Sequence, residues 1–315
     1  MTTLLVSQQN FADHRTPDGH PERADRIRAV EDALSRPRFD RLVRRPAPSS
    51  DLALAELVHD SGYLARLRDA RPAEGIGQLD EDTFISAESL DVAGTGLGGA
   101  LAALDAVLLG EADNAFCAIR PPGHHAEIAR PMGFCLINTV AIVAREAQRK
   151  YGAERIAIVD FDVHHGNGTE DIFKADPTVF YASSHQMPLY PGTGSPRERG
   201  VGNICNVPLA PGSGGEAMRE AYLGTILPAL VDFAPDLLLI SAGFDAHQRD
   251  PLAQLQWEGS DFSWLTGKLM DVADRACGNR IVSLLEGGYD LKGLAQGVSH
   301  HVAMLMDGAV GRLDD

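Results

Sequence analysis

Lysine is scarce in this chain: only four of the 28 basic residues are lysines, at positions 150, 174, 268 and 292. No Lys/Arg cluster forms a basic patch, and the formal net charge is −16. Nucleic acid is therefore not an expected partner. Cysteine is almost as rare. Cys117, Cys135, Cys205 and Cys277 form no CxxC pair and follow no regular spacing. That excludes a thiolate metal knuckle and a disulfide framework, and suits reduced, mostly buried thiols in the cytoplasm. No stretch approaches about 18 consecutive apolar residues, so no membrane span is expected. The opening "MTTLLVSQQNFADH" has no basic segment before its short apolar run, so it does not read as a signal peptide.

What is present fits one large domain. At 315 residues, 44% of them hydrophobic and 23% charged, the chain can bury a sizeable core. Continuous apolar runs recur at 3–7, 115–119, 155–161, 178–183, 236–242 and 280–286, as expected of strands covered on both faces. Helical patterns lie between them at 23–34, 89–108, 137–151 and 215–230. Alternation of this kind predicts a single α/β domain over 1–315, with a central, mainly parallel sheet flanked by helices.

Polar clusters follow four of these strands: "RPPGHHAE", "DFDVHHGNG", "SAGFDAHQRDP" and "EGGYD". In open α/β sheets, ligands bind beyond the carboxyl ends of the strands, and all four clusters belong to that edge. Strand alternation is expected to turn Asp160, Asp162 and His164 to one face. Asp162 and His164 can then share an ion, with Asp245 as third ligand from another strand end. Two carboxylates and one imidazole suit Zn²⁺ or Fe²⁺ and leave a coordination position open. The bland alternative is that Asp162 and His164 merely pair and cap the next helix. His124 and His125 would be common surface residues by themselves; beside a metal they are candidates for moving protons. Tyr289, after two glycines, could donate to a developing oxyanion.

In this order, "RPPGHHA", "GFCLIN", "DFDVHHGNGTE", "YPGTG", "SAGFDAH", "DP" and "EGGYD" resemble the zinc-dependent histone deacetylase family. The class II-type branch and the bacterial histone deacetylase-like amidohydrolases are most similar, and the likeness begins near "DGHPERADRIRAV". It implies the arginase/deacetylase fold and one zinc per chain, held by Asp162, His164 and Asp245. It further implies that His124 bonds to Asp160, that His125 is general base and then acid, and that Tyr289 holds the scissile carbonyl oxygen. Gly133, Phe134 and Tyr190 would line the acyl-lysine channel, with Leu252 at its mouth and Asp82 at the rim. A structural potassium would sit by Asp160, Ser183 and main-chain oxygens around His164.

Two positions depart from much of the family. Asn167 replaces the aspartate that pairs with the exposed histidine in class I, so His125 is expected to stay neutral to lower pH. Tyr190 stands where many relatives carry Phe. The implied substrate is an acylated lysine of a protein or peptide; an acetylated small amine, as for an acetylpolyamine amidohydrolase, is the alternative. A binuclear manganese ureohydrolase would need a further carboxylate where His247 stands. A non-catalytic acyl-lysine reader is expected to have lost Tyr289 or a dyad histidine. A homo-oligomer is compatible with the sequence.

Overall fold

The computed structural model describes residues 1–308, so the last seven positions of the expected domain lie outside the described residues. Among the described residues there are ten strands. They are β1 (Thr3–Ser7), β2 (Val43–Pro46), β3 (Ile76–Gln78), β4 (Phe84–Ser86), β5 (Asn114–Ala118), β6 (Ile156–Asp160), β7 (Val179–Gln186), β8 (Ile204–Leu209), β9 (Leu237–Ala242) and β10 (Ile281–Leu285). Eight of them form one parallel sheet in the order β2-β1-β5-β10-β9-β6-β7-β8, while β3 and β4 form a small antiparallel hairpin. The four strands that precede the polar clusters are β5, β10, β9 and β6. They are consecutive neighbours at the centre of the sheet, which is why four distant stretches of chain meet.

Each central strand feeds two cores. Ala157 and Val159 of β6, with Leu238 and Ile240 of β9, belong to the core on one face; Ile156, Ile158, Leu237 and Leu239 belong to the core on the other. A strand buried on both sides has no polar face to show, hence the unbroken apolar runs. Full burial of each of these Val, Leu and Ile side chains contributes roughly 1.5–3 kcal/mol. The 20-residue helix Ser89–Leu108 is long and apolar enough to cross a membrane by length and composition, yet 78% of its apolar window is buried. It is a core helix.

The expected helix over 215–230 is interrupted. An α-helix at Gly215–Ala221 passes through a π-helical turn at Tyr222–Ile226 into a second α-helix at Leu227–Phe233. Pro228 supplies the reason, since its ring clashes with the carbonyl four residues back and it has no N–H to donate.

A buried ion network joins the N-terminal segment to the site edge of the sheet. Glu22 accepts from Nε and Nη2 of Arg120, at 2.8 and 2.6 Å, and from Nη1 of Arg26 at 3.2 Å. Arg26 also donates to the carbonyls of Gly288, at 2.7 Å, and Glu286. All three charged side chains are fully buried. Burial would raise the Glu22 carboxyl, but the Arg120 guanidinium overrides it and holds the group well below the usual carboxylate range. A depressed folded-state value means that this stabilisation is present at neutral pH and lost on acidification. Glu22→Gln, which strands two buried cations, should cost about 3–5 kcal/mol in urea unfolding. An unchanged midpoint would show that the network is not needed for stability.

Candidate active site

The peptide turns sharply where β6 ends. Asp160 is the last strand residue, so Asp162 and His164 lie beyond the pleat, and strand alternation is not what aligns them. Side chain-to-backbone hydrogen bonds do that instead: Asp162 N–H donates to Asp160 Oδ1 at 3.1 Å, and His164 N–H donates to Asp162 Oδ1 at 2.9 Å. Asp245, delivered from the end of β9, accepts from the N–H of Val163 at 2.8 Å. Gly287, after β10, donates its N–H to Asp162 Oδ2 at 2.8 Å. A Cβ at Gly287 would run into the carboxylates of both Asp162 and Asp245. Backbone can come this close only without a side chain.

The result is a buried trio, with His164 reaching the cavity. One donor atom from each of Asp162, His164 and Asp245 lies within 4.8 Å of the others, and no second group of this kind occurs among the described residues. His164 Nδ1 is 3.1 Å from Asp162 Oδ1 and 3.2 Å from Asp245 Oδ2. Tetrahedral zinc, at its usual bond lengths, separates its donors by about 3.4 Å. Both geometry and donor set fit one divalent ion. Burial and the charge of Asp162 push the Asp245 carboxyl up to about 7. Burial opposes protonation of His164, but hydrogen bonds to Asp162 and Asp245 outweigh it and raise the imidazole to about 10. This is the electrostatic signature of a site short of positive charge.

The two histidines of "PPGHH" differ sharply. His124 Nδ1 lies 2.9 Å from Asp160 Oδ2, an oxygen that also accepts from the Tyr181 hydroxyl at 3.0 Å. Burial works against the charged form of His124, yet Asp160 and then Asp162 carry it to about 10. His125 goes the other way: burial first, then the charges of His124 and His164, hold it well below the ordinary value. The expected neutral His125 agrees in direction with this, but burial outweighs the neutrality of its partner.

That partner also sets the tautomer. Asn167 Nδ2 donates to Glu127 Oε1 at 2.7 Å, which turns the amide oxygen toward His125 Nδ1, 2.8 Å away. Nδ1 therefore carries the proton and Nε2 is the acceptor.

A cavity of about 220 Å³ opens above the trio. Its lining includes His125, His164 and Tyr289, together with all five residues expected in the substrate channel: Asp82, Gly133, Phe134, Tyr190 and Leu252. Leu189 also lines it, and nothing in its sequence context distinguished it. Gly133 and Phe134 both have positive φ, 56° and 68°. A Cβ on Gly133 would collide with the His125 ring. Phe134 is held there by its N–H, which donates to Thr83 Oγ1 at 3.1 Å, and by the edge of His20, whose centroid is 4.7 Å away. His20 belongs to the "DGHPE" segment, whose supporting part in the rim had no signal of its own. Burial holds the Tyr289 phenol well above its ordinary value, so the hydroxyl is a donor.

His247 is turned away from the trio. Its Nε2 pairs with Gln296 Oε1 at 2.8 Å and its Nδ1 accepts from the N–H of Arg249 at 3.2 Å. Both nitrogens are engaged, and no ligand for a second ion stands there. Ser183 is the direct register partner of Asp160 on the adjacent strand, and its Oγ lies 2.9 Å from His185 Nδ1.

A parallel eight-stranded sheet in this order, flanked by helices, is the arginase/deacetylase fold, and the buried Asp–His–Asp trio lies beyond its central strands. A family model described as "Histone deacetylase domain" matches residues 20–305. The chain belongs to the histone deacetylase family. It is 40% identical over 306 residues to "Histone deacetylase 10, chloroplastic" of Oryza sativa, covering 90% of this chain and 68% of that protein. It is 42% identical over 252 residues to "Histone deacetylase-like amidohydrolase" of Pseudomonas aeruginosa, covering 78% of this chain and 66% of that one. Among solved structures, "Crystal Structure of HDA15 HD domain" superposes with a TM-score of 0.91 at 32% identity, covering 97% of this chain and 89% of that one. These matches support a deacetylase, a hydrolase of amide bonds.

Zinc added to metal-free protein should stabilise it by about 2.7 kcal/mol at a hundredfold excess over Kd. Asp245→Asn should abolish that shift in thermal unfolding. An equal shift in the variant would remove Asp245 from the ligand set.

Proposed function

We propose that the protein is a zinc-dependent deacylase that releases acetyl, or a related acyl group, from the ε-amine of lysine. The observation that carries this reading is the convergence of the Asp162–His164–Asp245 trio, His125 and Tyr289 on one apolar-walled cavity. Zinc held by the trio would supply a Lewis acid that activates water and polarises the carbonyl. His125, neutral and with Nε2 free to accept, takes the proton of the attacking water and returns it to the leaving amine. His124, hydrogen-bonded to Asp160 and pushed up by it, lies beside His125. The Tyr289 hydroxyl donates to the carbonyl oxygen as negative charge develops there. Phe134 and Tyr190 suit the methylene stem of lysine, while the Asp82 carboxylate can accept from the substrate's main chain.

Potassium by Asp160 and Ser183 belongs to the same reading, and rests on the family resemblance and the pairing of those residues on adjacent strands. Cytoplasmic location rests on the sparse, unpaired cysteines. The acetylpolyamine alternative shares the chemistry and differs at the mouth. Leu252 offers no charge to a distal ammonium, which favours acyl-lysine peptides.

Tyr289→Phe should lower turnover of an acetyl-lysine peptide by about 10²–10³, the cost of one oxyanion donor, without loss of metal. His125→Ala should be similarly damaging. Near-normal rates in both would overturn the roles. A panel of acyl-lysine peptides and acetylspermidine tests the substrate: the peptides should show the higher kcat/KM, and Leu252→Glu should shift preference toward the polyamine by about tenfold. Acetylspermidine as the better substrate of the unmodified protein would overturn the lysine assignment.

A further inference from the structure

Asp250, in "QRDPL", has no part in the chemistry above, yet only 7% of it is exposed and its carboxylate joins two walls of the cavity. Oδ2 accepts from the N–H of Tyr289 at 2.7 Å and, at 3.4 Å, from that of Asp290. Oδ1 accepts from the N–H of Leu252 at 3.0 Å. The catalytic tyrosine and the leucine at the mouth thus hang from the two oxygens of one side chain. On its other side, the tyrosine's loop is gripped by Arg26, which donates to the carbonyls of Glu286 and Gly288 and lies 5.0 Å from the Tyr289 ring centroid. The two grips meet on the peptide that follows Gly288, whose φ is 125°. A loop of this conformation needs external hydrogen bonds to stay in one place, and Asp250 takes the amides where Arg26 takes the carbonyls.

We infer that Asp250 is a positioning residue: its Oδ2 sets where the Tyr289 hydroxyl meets the substrate carbonyl, and its Oδ1 separately sets Leu252 at the mouth. This inference rests on the deacylase reading. Asparagine at 250 keeps one acceptor oxygen but turns an NH₂ toward a backbone N–H, so one grip is lost outright and the other falls to a neutral hydrogen bond of roughly half the strength.

A kinetic double-mutant cycle with an acetyl-lysine peptide tests it, using Asp250→Asn, Tyr289→Phe and the double variant, with zinc content measured in each. A displaced hydroxyl should cost Asp250→Asn about 10- to 100-fold in kcat. In the Tyr289→Phe background, with no hydroxyl to misplace, the same substitution should cost less than about twofold. Any change in KM acts through Leu252 and should be the same in both backgrounds. A merely structural role would lower kcat by the same factor with and without the hydroxyl, which would overturn the inference. So would a normal kcat in Asp250→Asn. Asp250→Glu, which keeps the charge but moves it by a methylene, gives the same cycle where the asparagine variant does not fold; full kcat there would also overturn it. No turnover by the unmodified protein would instead refute the deacylase reading.

Discussion

Two carboxylates and an imidazole, packed together with almost no access to water, form the constraint around which the rest of the molecule is arranged. Asp162 and Asp245 are fully buried, and like charges this close cannot both ionise cheaply without a cation. Every neighbouring feature is consistent with a place for one. Backbone N–H groups of Val163, His164 and Gly287 point at the carboxylates, and Gly287 brings its main chain where no side chain could fit. Beside the trio, Asp160 and then Asp162 push the His124 imidazole up. Burial first, and then the charge of His124, holds His125 down, so two adjacent histidines are pushed in opposite directions.

The scaffold meets this constraint by topology. β5, β10, β9 and β6 lie side by side and run parallel, so their carboxyl ends deliver "PPGHH", "EGGYD", "GFDAH" and "DFDVHH" to one spot. Each strand is anchored in two cores at once, which gives the loops beyond it a rigid base. The buried Glu22–Arg26–Arg120 network then ties the N-terminal segment to the loop that carries Tyr289. Stability and site geometry therefore share residues.

Much of this was legible in the amino-acid order, for reasons that can be stated. Doubly buried strands leave unbroken apolar runs, and polar residues placed directly after such runs have only the sheet edge to occupy. The trio, the two histidines and Tyr289 are legible that way; the channel residues and the separate roles come from the family resemblance. Local reasoning failed where long-range contacts decide. Alternation predicts that Asp160, Asp162 and His164 align, but the strand stops at Asp160 and hydrogen bonds through the turn do the aligning. The helix over 215–230 kept its apolar period across a π turn that periodicity does not register. β2, β8 and the hairpin of β3 with β4 were missed, the hairpin strands being only three residues each. Asp250 and Arg26 stand in the quoted motifs without a legible role, because their hold on the Tyr289 loop is through backbone groups about 40 and 260 residues away in sequence.

The central claim is that one divalent ion in the Asp162–His164–Asp245 trio enables amide hydrolysis in the cavity above it. Titrating zinc into metal-free protein while following turnover of an acetyl-lysine peptide tests this most directly. Activity should rise from near zero and break at one equivalent per chain. Turnover that ignores the metal, or that appears only with a second equivalent, would contradict the account.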